Sequence, residues 1–179
     1  MIDKKELRRI LDSRLSGLSE SYITSAGGSI SDMLLASEEY RKALSIFVFV
    51  STEREPSTRG IILKALSDGK EVYVPKCVDE TTMLAVRIRD MNDLVPGSFG
   101  ILEPAVVTET KTAGELDLII VPCLAASLGG KRLGHGRGYY DRFLSDHADN
   151  AILLCFSAML LDDIPTEEHD ILIPKVITD

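Results

Sequence analysis

A glycine-rich segment around residue 135 combines the backbone and side-chain groups that bind phosphate. Residues 129–141 read GGKRLGHGRGYYD and stand between a strongly apolar run and a stretch with helical spacing. Glycines let the backbone approach a ligand closely and turn its N–H groups inward, and the start of a helix adds partial positive charge. Lys131, Arg132 and Arg137 supply full positive charges in the same stretch. The segment therefore predicts an anion-binding loop suited to a polyphosphate.

The spacing of this loop differs from the common phosphate-binding motifs. A Walker A loop ends in Gly-Lys followed by Ser or Thr, and a GxGxxG motif would need glycine where Tyr139 stands. A merely solvated surface loop is the alternative interpretation. The strand–loop–helix context and the cations in an acidic chain favour anion binding.

Two further groups of charged residues could complete such a site. Lys4, Lys5 and Arg8 lie on the first turns of an amphipathic helix, where they repel one another and oppose the helix dipole. They could attract an anion, or they could form a solvated helix face. Glu53 and Glu55 follow a buried run, and either carboxylate could accept hydrogen bonds from a heterocycle or be an ordinary surface charge.

Two aspartates are candidates for holding Mg²⁺. Asp141 follows the glycine loop directly and Asp170 lies near the end of the chain. Magnesium usually arrives with nucleotide phosphates and uses few protein carboxylates. Helix caps or surface groups are the alternative interpretation of both aspartates.

Cys123 and Ser127 lack any partner motif for a nucleophile, so we interpret them as a buried thiol and a loop hydroxyl.

The elements that must position these residues alternate between helical and strand patterns. Helices are predicted at residues 3–18, 58–67, where Ser57 or Thr58 would be the N-cap, and 139–147. Residues 19–41 also have helical spacing, but Gly27 and Gly28 weaken the middle, so this stretch is predicted to form two helices or one interrupted helix. Strands are predicted at residues 45–50, 71–75, 83–88, 116–121, 151–156 and 171–178, the last interrupted by Pro174, with loop over 91–112. The alternation predicts an α/β fold, a three-layer α/β/α sandwich with a mostly parallel sheet. Because ligands bind beyond the carboxyl ends of such strands, the loops after Val50 and Val121 should share one site.

The size and net charge of the chain exclude some classes of function. The 179 residues, 45% of them apolar, fit one domain over residues 1–179. No apolar run has the length of a signal peptide or a membrane span, so we expect a cytoplasmic protein without a membrane partner. A net charge of −8 argues against nucleic acid, which needs a broad basic surface. Cys77, Cys123 and Cys155 have no metal or disulfide spacing and are predicted to be buried free thiols. The sequence leaves the oligomeric state open.

The glycine-rich segment and its neighbours resemble a known family. Residues 132–142 (RLGHGRGYYDR), after the strand LDLIIVP, resemble the signature of 5-formyltetrahydrofolate cyclo-ligases, also called methenyltetrahydrofolate synthetases. Weaker resemblances follow in order along nearly the whole chain: KKELR at 4–8, EPST at 55–58, VPGSFGILEP at 95–104, and the ending HD at 169–170 with IT at 177–178. The resemblance implies a three-layer α/β/α sandwich of the NagB/RpiA-like kind. It also implies ATP- and Mg²⁺-dependent conversion of 5-formyltetrahydrofolate to 5,10-methenyltetrahydrofolate, with release of ADP and phosphate, through a phosphorylated formyl intermediate.

The resemblance also implies roles for individual residues. Arg132, Arg137 and Tyr139 would act at the reacting group. ATP would be bound by Lys4, Lys5, Glu6, Leu7, Arg8, Arg132, Leu133, Gly134, His135, Gly136, Arg137, Gly138, Tyr139 and Tyr140. The folate would be bound by Val50, Glu55, His135, Gly136, Arg137, Gly138 and Tyr139. Asp141 and Asp170 would be associated with Mg²⁺.

Two other functions remain open from the sequence. A non-catalytic regulator could keep the nucleotide or folate site without turnover. A sugar-phosphate isomerase-like enzyme is suggested by the α/β architecture alone, and fold does not decide function. Protection against thermal unfolding by a nucleotide would distinguish the isomerase from the other two.

Overall fold

A central sheet forms from the apolar, β-branched runs that lie between the helical segments. The computed structural model describes residues 3–97, 100–145 and 147–179. Its α-helices are α1 (Lys4–Ser16), α2 (Glu20–Ala36), α3 (Glu38–Lys42), α4 (Arg59–Ser67) and α5 (Tyr139–Leu144). Its strands are β1 (Ser45–Val48), β2 (Glu71–Cys77), β3 (Met83–Ile88), β4 (Leu94–Pro96), β5 (Leu102–Pro104), β6 (Thr110–Lys111), β7 (Leu118–Val121), β8 (Ala125–Ala126), β9 (Arg132–Leu133), β10 (Ala151–Leu154) and β11 (Lys175–Ile177). None of these described helices is long and apolar enough to cross a lipid bilayer.

Seven strands form the main sheet in the order β11-β10-β7-β1-β2-β3-β6. The first five in that order run parallel, and β3 is antiparallel to both β2 and β6. At the centre, Phe47 of β1 pairs with Tyr73 of β2 on one side and with Ile119 of β7 on the other. Every residue of β1, β7 and β10 is buried, as expected for strands covered on both faces. The predicted α/β fold with a mostly parallel sheet is confirmed.

The direction of the chain crossovers reverses beside β1. From β1 the chain passes through α4 to β2 on one side, whereas from β7 it passes through α5 to β10 on the other. Because such crossovers are right-handed, α4 and α5 must cover opposite faces of the sheet. The packing agrees: α2 contacts α4, while the ring of Phe47 lies 4.9 Å from that of Phe143 in α5. The three layers are thus helices, sheet and helices, and a crevice opens between β1 and β7.

Several observed elements differ in their bounds from the predicted ones. The predicted strand 171–178 is reduced to β11 because Pro174 cannot donate to the ladder. The predicted helix 139–147 ends at Leu144, since Ser145 has a φ of 44°; Asp146 lies outside the described residues. The predicted loop 91–112 contains the hairpin β4–β5 and the short strand β6. Within VPGSFGILEP, Ser98 and Phe99 are also outside the described residues.

Thr58 fixes the loop that follows β1. It occupies the N-cap position of α4, but its side chain does not cap the helix as predicted. Instead its fully buried hydroxyl donates to the Phe49 carbonyl at 2.6 Å and accepts from the Ser51 N–H at 3.0 Å. The Thr58 N–H in turn donates to the Ser51 hydroxyl at 3.0 Å. The bond to Phe49 takes a carbonyl out of the strand ladder, so β1 ends at Val48 and not at Val50.

Replacing Thr58 with Val should destabilise the protein. The variant Thr58→Val keeps the shape of the side chain but leaves the Phe49 carbonyl and the Ser51 N–H without their partner. We expect a loss of about 2 kcal/mol in the free energy of unfolding, measured by urea denaturation. The exposed neighbour Ser57 serves as the control, and Ser57→Ala should change stability by less than about 0.5 kcal/mol. Equal losses in the two variants would contradict this role of Thr58.

Candidate functional site

A cleft of about 1070 Å³ lies at the carboxyl ends of β1, β2, β7 and β10. Its walls come from α1, the loop after β1, the segment that begins at β9, and the chain at 167–170. Of the predicted site residues, the ones that line it are Lys4, Arg8, Val50, Glu55, Arg132, Leu133, Gly134, His135, Gly136, Arg137, Gly138, Tyr139, Tyr140, Asp141 and Asp170. The reversal of crossovers beside β1 therefore gathers residues from both ends of the chain.

Three of the predicted nucleotide-binding residues do not line the cleft. Lys5 and Glu6 are exposed, and Glu6 forms an ion pair with Arg9 at 2.7 Å, while Leu7 packs against the core. Helical geometry explains the split, because residues four apart share one face. Lys4 and Arg8 of α1 face the cleft, and the three residues between them do not.

The beginning of the glycine-rich segment belongs to a hairpin. Strands β8 and β9 pair antiparallel, and the Ser127 N–H donates to the Lys131 carbonyl at 2.9 Å. The Lys131 ammonium bonds to Asp163 at 2.6 Å and is not among the residues that line the cleft. No sequence signal marks this hairpin, since strands of two residues carry no periodicity. The part of the predicted anion-binding segment that lines the cleft therefore begins at Arg132.

Arg132 is held rigidly in the cleft wall. Its Nη2 donates to Asp141 Oδ2 at 2.8 Å, and its guanidinium lies 5.5 Å from the centre of the Tyr140 ring. Only 7% of the side chain is exposed, and within the described part of the chain its buried Nε has no hydrogen-bond partner. An unpaired buried donor is costly. An anion entering the cleft could supply the missing acceptor.

The glycine loop and α1 meet through Arg8. The Arg8 Nε donates to the Gly134 carbonyl at 2.8 Å, which ties the helix to the loop. Gly136 has a φ of +93°, and a Cβ atom at that position would lie 3.1 Å from the Arg8 guanidinium. Only glycine accommodates both the backbone angle and the close approach. The contact places an arginine from the start of the chain beside the loop backbone.

Lys4 joins α1 to the end of the chain. Its ammonium bonds to Asp170 at 2.5 Å and to Glu167 at 3.0 Å, and the side chains of Lys4 and Asp170 are largely buried. Burial acts to raise the pKa of Asp170, but the bonds from Lys4 and from the Glu167 N–H outweigh it, so the pKa is lowered. Desolvation acts to lower the pKa of Lys4, and its two carboxylate partners outweigh that effect and raise it. Both groups are therefore charged at neutral pH.

The carboxylates around these pairs fit a magnesium ion. Asp141 and Asp170 both line the cleft and each already faces a cation, Arg132 or Lys4. Glu167, His169 and Asp170 also offer ligand atoms within 4.8 Å of one another. Carboxylate oxygens are the ligands that Mg²⁺ prefers, and the ion usually keeps waters and phosphate oxygens as its other ligands.

Val50, Glu55, Tyr139 and Tyr140 also line the cleft. Glu55 Oε2 accepts hydrogen bonds from the Thr52 N–H at 2.8 Å and the Thr52 hydroxyl at 2.9 Å, which closes the turn after β1. The Tyr139 hydroxyl donates to the Asp79 carbonyl at 2.8 Å. Burial raises the pKa of Tyr140, with a further contribution from the charge of Glu55. Both phenols are therefore neutral donors at physiological pH.

The cysteines of the cleft are not arranged as nucleophiles. A hydrogen bond with Cys155 raises the pKa of the Cys123 thiol well above its usual value, and desolvation adds to this effect. The Cys123 thiol also donates to the Leu154 carbonyl at 3.4 Å. A thiolate is needed for nucleophilic attack, and here the thiol is favoured. All three cysteines are free thiols, as predicted, but only Cys155 is buried; Cys77 and Cys123 are half-buried, so the prediction of burial is wrong for these two.

Sequence reasoning missed several residues that line the cleft from the β2 side, among them Cys77 and Glu103. Cys77 ends β2, and Glu103 lies in β5, which packs against β2. Both fall where the sequence predicted a strand end or a loop. The only signal for Glu103 was its place in the VPGSFGILEP segment, where nothing local distinguishes it from a surface carboxylate.

Adding one methyl group to Gly136 should disturb the loop. In Gly136→Ala, the alanine would have to adopt the left-handed backbone conformation, and its Cβ atom would push against the Arg8 guanidinium. We expect a loss of about 1 to 2 kcal/mol in the free energy of unfolding, measured by urea denaturation. Gly129→Ala is the matched control, because a Cβ there would meet only the Ser127 hydroxyl at an ordinary 3.7 Å. If Gly136→Ala were as stable as the control, the constraint would be refuted.

Comparison with known proteins places the chain in a family. The 5-formyltetrahydrofolate cyclo-ligase family matches residues 1–179. A Caenorhabditis elegans protein named "Probable 5-formyltetrahydrofolate cyclo-ligase" is 33% identical over 188 residues, covering 97% of this chain and 91% of that protein. The NMR structure of Aquifex aeolicus 5,10-methenyltetrahydrofolate synthetase is similar with a TM-score of 0.85 and 28% identity, covering 98% of this chain and 89% of that one. A 5,10-methenyltetrahydrofolate synthetase from Mycoplasma pneumoniae, at 20% identity and a TM-score of 0.77 over 98% of each chain, shares the fold. The resemblance seen in the sequence is confirmed, and the chain belongs to the 5-formyltetrahydrofolate cyclo-ligase family of enzymes.

Proposed function

We propose that the protein converts 5-formyltetrahydrofolate to 5,10-methenyltetrahydrofolate in a reaction that consumes ATP and requires Mg²⁺. The observation that carries the proposal is that Lys4, Arg8 and Arg132 line the same cleft as the loop after β1. The cations and the backbone of the glycine loop suit a polyphosphate, and the apolar surface and carboxylate of the loop after β1 suit a heterocycle. The protein carries a net charge of −8. This acidic charge supports small molecules, and not nucleic acid or membrane, as the partners of a cytoplasmic protein.

The chemistry requires activation of the formyl oxygen. A formamide oxygen is a poor leaving group, so transfer of the terminal phosphoryl group of ATP to it gives a phosphorylated intermediate. N10 of the folate then attacks the formyl carbon, and phosphate departs with the oxygen. Such a reaction depends on positioning and charge neutralisation, and it needs no protein nucleophile. The raised pKa of Cys123 is consistent with that requirement.

The cations of the cleft would bind the nucleotide. Lys4 and Arg132 would contact the phosphates, and the backbone of residues 132–140 would line the phosphate chain, as the resemblance in the sequence implies. Arg132, Arg137 and Tyr139 would lie at the transferring group. Lys5, Glu6 and Leu7 face away from the cleft, so we assign their share of the nucleotide site to Lys4 and Arg8.

The magnesium ion would sit beside Asp141 and Asp170. Bound there, it would neutralise charge that develops on the phosphates during transfer. Each aspartate already pairs with a cation, Asp141 with Arg132 and Asp170 with Lys4, and the ion pair holds the carboxylate at the cleft.

The loop after β1 would bind the folate. Val50 would contact the ring system and Glu55 would accept hydrogen bonds from the pterin N–H groups, while residues 135–139 would lie against the formyl group. The turn that Glu55 makes with Thr52 occupies Oε2, and it fixes the direction of the carboxylate. Pre-oriented acceptors of this kind bind planar heterocycles with little loss of side-chain freedom.

The test is the absorbance of the methenyl product. Purified protein is mixed with 5-formyltetrahydrofolate and Mg²⁺, with and without ATP, and we expect a rise in absorbance only when ATP is present. A folded protein that binds both ligands without turnover would instead be a regulator. Absence of nucleotide protection against thermal unfolding would favour the isomerase-like alternative.

Removing the charge of Glu55 should weaken folate binding selectively. Glu55→Gln keeps an oxygen for the Thr52 turn, but it loses the charged acceptor for the pterin. We expect the Kd for 5-formyltetrahydrofolate to rise about 10-fold or more, with the Kd for ATP unchanged. Calorimetric titration measures both constants, and the exposed neighbour variant Glu53→Gln should alter neither. An equal rise in the Kd values for both ligands in Glu55→Gln would reject the assignment of Glu55 to the pterin.

A further inference from the structure

Arg54 connects the loop after β1 to helix α1. It directly precedes Glu55 in that loop, and both residues line the cleft. The Arg54 Nη2 donates to the Asp12 carbonyl at 3.0 Å and to the Ser16 hydroxyl at 2.7 Å. Both acceptors belong to the C-terminal part of α1, and Ser16 lies 38 residues earlier in the chain than Arg54. The contact therefore joins the loop that is proposed to bind the folate to a helix distant in sequence.

The C-terminal part of α1 presents two acceptors that suit one guanidinium nitrogen. The Ser16 hydroxyl donates to the Asp12 carbonyl at 2.8 Å, so the two oxygens are held next to each other. The carbonyl groups at the end of a helix also carry partial negative charge, which favours a cation there. A guanidinium is always charged and can donate to two oxygens at once. This end of α1 is therefore matched to Arg54 in charge and in geometry.

The remainder of the loop is held at its base. Hydrogen bonds between Ser51 and Thr58 close the base, and Pro56 is buried. Residues 52–55 form a turn between these points. Within the described part of the chain, the bonds from Arg54 are the only hydrogen bonds that this turn makes to another element. Arg54 therefore sets the orientation of the turn relative to the cleft.

The turn carries the Glu55 carboxylate with it. Glu55 Oε2 accepts from the Thr52 N–H at 2.8 Å and from the Thr52 hydroxyl at 2.9 Å, so the carboxylate and the turn move together. A hydrogen bond weakens steeply when its angle falls below about 120°. A turn that is detached from α1 would therefore present the carboxylate to a heterocycle at a poor distance or angle.

We propose that Arg54 is a positioning residue that fixes Glu55 for folate binding by holding the turn 52–55 on helix α1. The inference rests on the proposed function, which assigns Glu55 to the pterin, and it adds the residue that sets the direction of that carboxylate. Lys4 and Arg8 of the same helix would bind the nucleotide. Helix α1 would thus align the sites of both substrates on one rigid element.

The first test uses the protein without ligands. In Arg54→Ala, we expect the backbone amides of Thr52 and Glu55 to exchange with solvent about 5-fold faster or more, because the turn opens more often. Hydrogen exchange followed by NMR measures these rates. The urea midpoint should be unchanged, since Arg54 is exposed and contributes little to the core. Arg54→Lys keeps a cationic donor and should retain part of the protection. Unchanged exchange in Arg54→Ala would overturn the proposal.

The second test asks whether Arg54 acts through Glu55. In Arg54→Ala, we expect the Kd for 5-formyltetrahydrofolate, measured by calorimetric titration, to rise about 5- to 10-fold, with the Kd for ATP within about twofold. In the Glu55→Gln background, the same substitution should change the folate Kd by less than about twofold, because the carboxylate that Arg54 directs is gone. Independent, multiplying effects of the two substitutions would overturn the positioning role and indicate that Arg54 contacts the folate itself.

Arg14→Ala is the matched control. It removes another exposed arginine from the last turn of α1, and Arg14 makes no hydrogen bond to the loop among the described residues. Neither the exchange rates nor the folate Kd should change in this variant. Failure of the proposed function is distinguishable, since the wild-type protein would then show no ATP-dependent rise in absorbance. The exchange rates of the ligand-free protein would still decide whether Arg54 holds the turn.

Discussion

The cleft depends on one topological constraint, the reversal of crossover direction between β1 and β7. From these neighbouring strands the chain leaves toward opposite faces of the sheet, so no single connection can cover both carboxyl ends. The loops that enter the gap must instead be fixed by their own hydrogen bonds. Thr58 does this after β1 by holding the Phe49 carbonyl, and the hairpin β8–β9 does it after β7. The Thr58 hydrogen bond and the hairpin take the place of strand pairing in the main sheet, which ends at the edge of the cleft.

Charged side chains that line the cleft form ion pairs with one another. Arg132 with Asp141 and Lys4 with Asp170 are mostly buried, and a single ion at such a position would pay a large desolvation cost. Pairing offsets that cost in the absence of ligand and also orients both partners. The pairs connect distant parts of the sequence, since α1 reaches the chain at residue 170 and β9 reaches α5. Assembly of the site therefore requires the complete fold.

The parts of the structure predicted from the sequence are those with a local signal. The apolar runs of β1, β7 and β10 identified the parallel strands, and the four-residue spacing of Lys4 and Arg8 put both on one face of α1. The features that were missed depend on contacts between distant segments. A threonine beside a helix looks like a cap, and only the position of Phe49 redirects the Thr58 hydroxyl. Glu103 likewise looks like a surface residue until β5 packs on β2 and Gly97 receives its carboxylate.

The existing ion pairs also bear on how a nucleotide could enter. A triphosphate and Mg²⁺ would arrive as oppositely charged partners, and the cleft meets them with cations and carboxylates that are already paired. Phosphate oxygens could then take over Arg132 and Lys4 while the metal takes over Asp141 and Asp170. On the proposed function, each old pair would be exchanged for two new ones, which would leave none of these four charges without a partner. Electrostatic preorganisation of this kind limits the reorganisation that binding and phosphoryl transfer require. The unpaired Nε of Arg132 is consistent with this proposal, because an anion bound in the cleft would give that donor an acceptor.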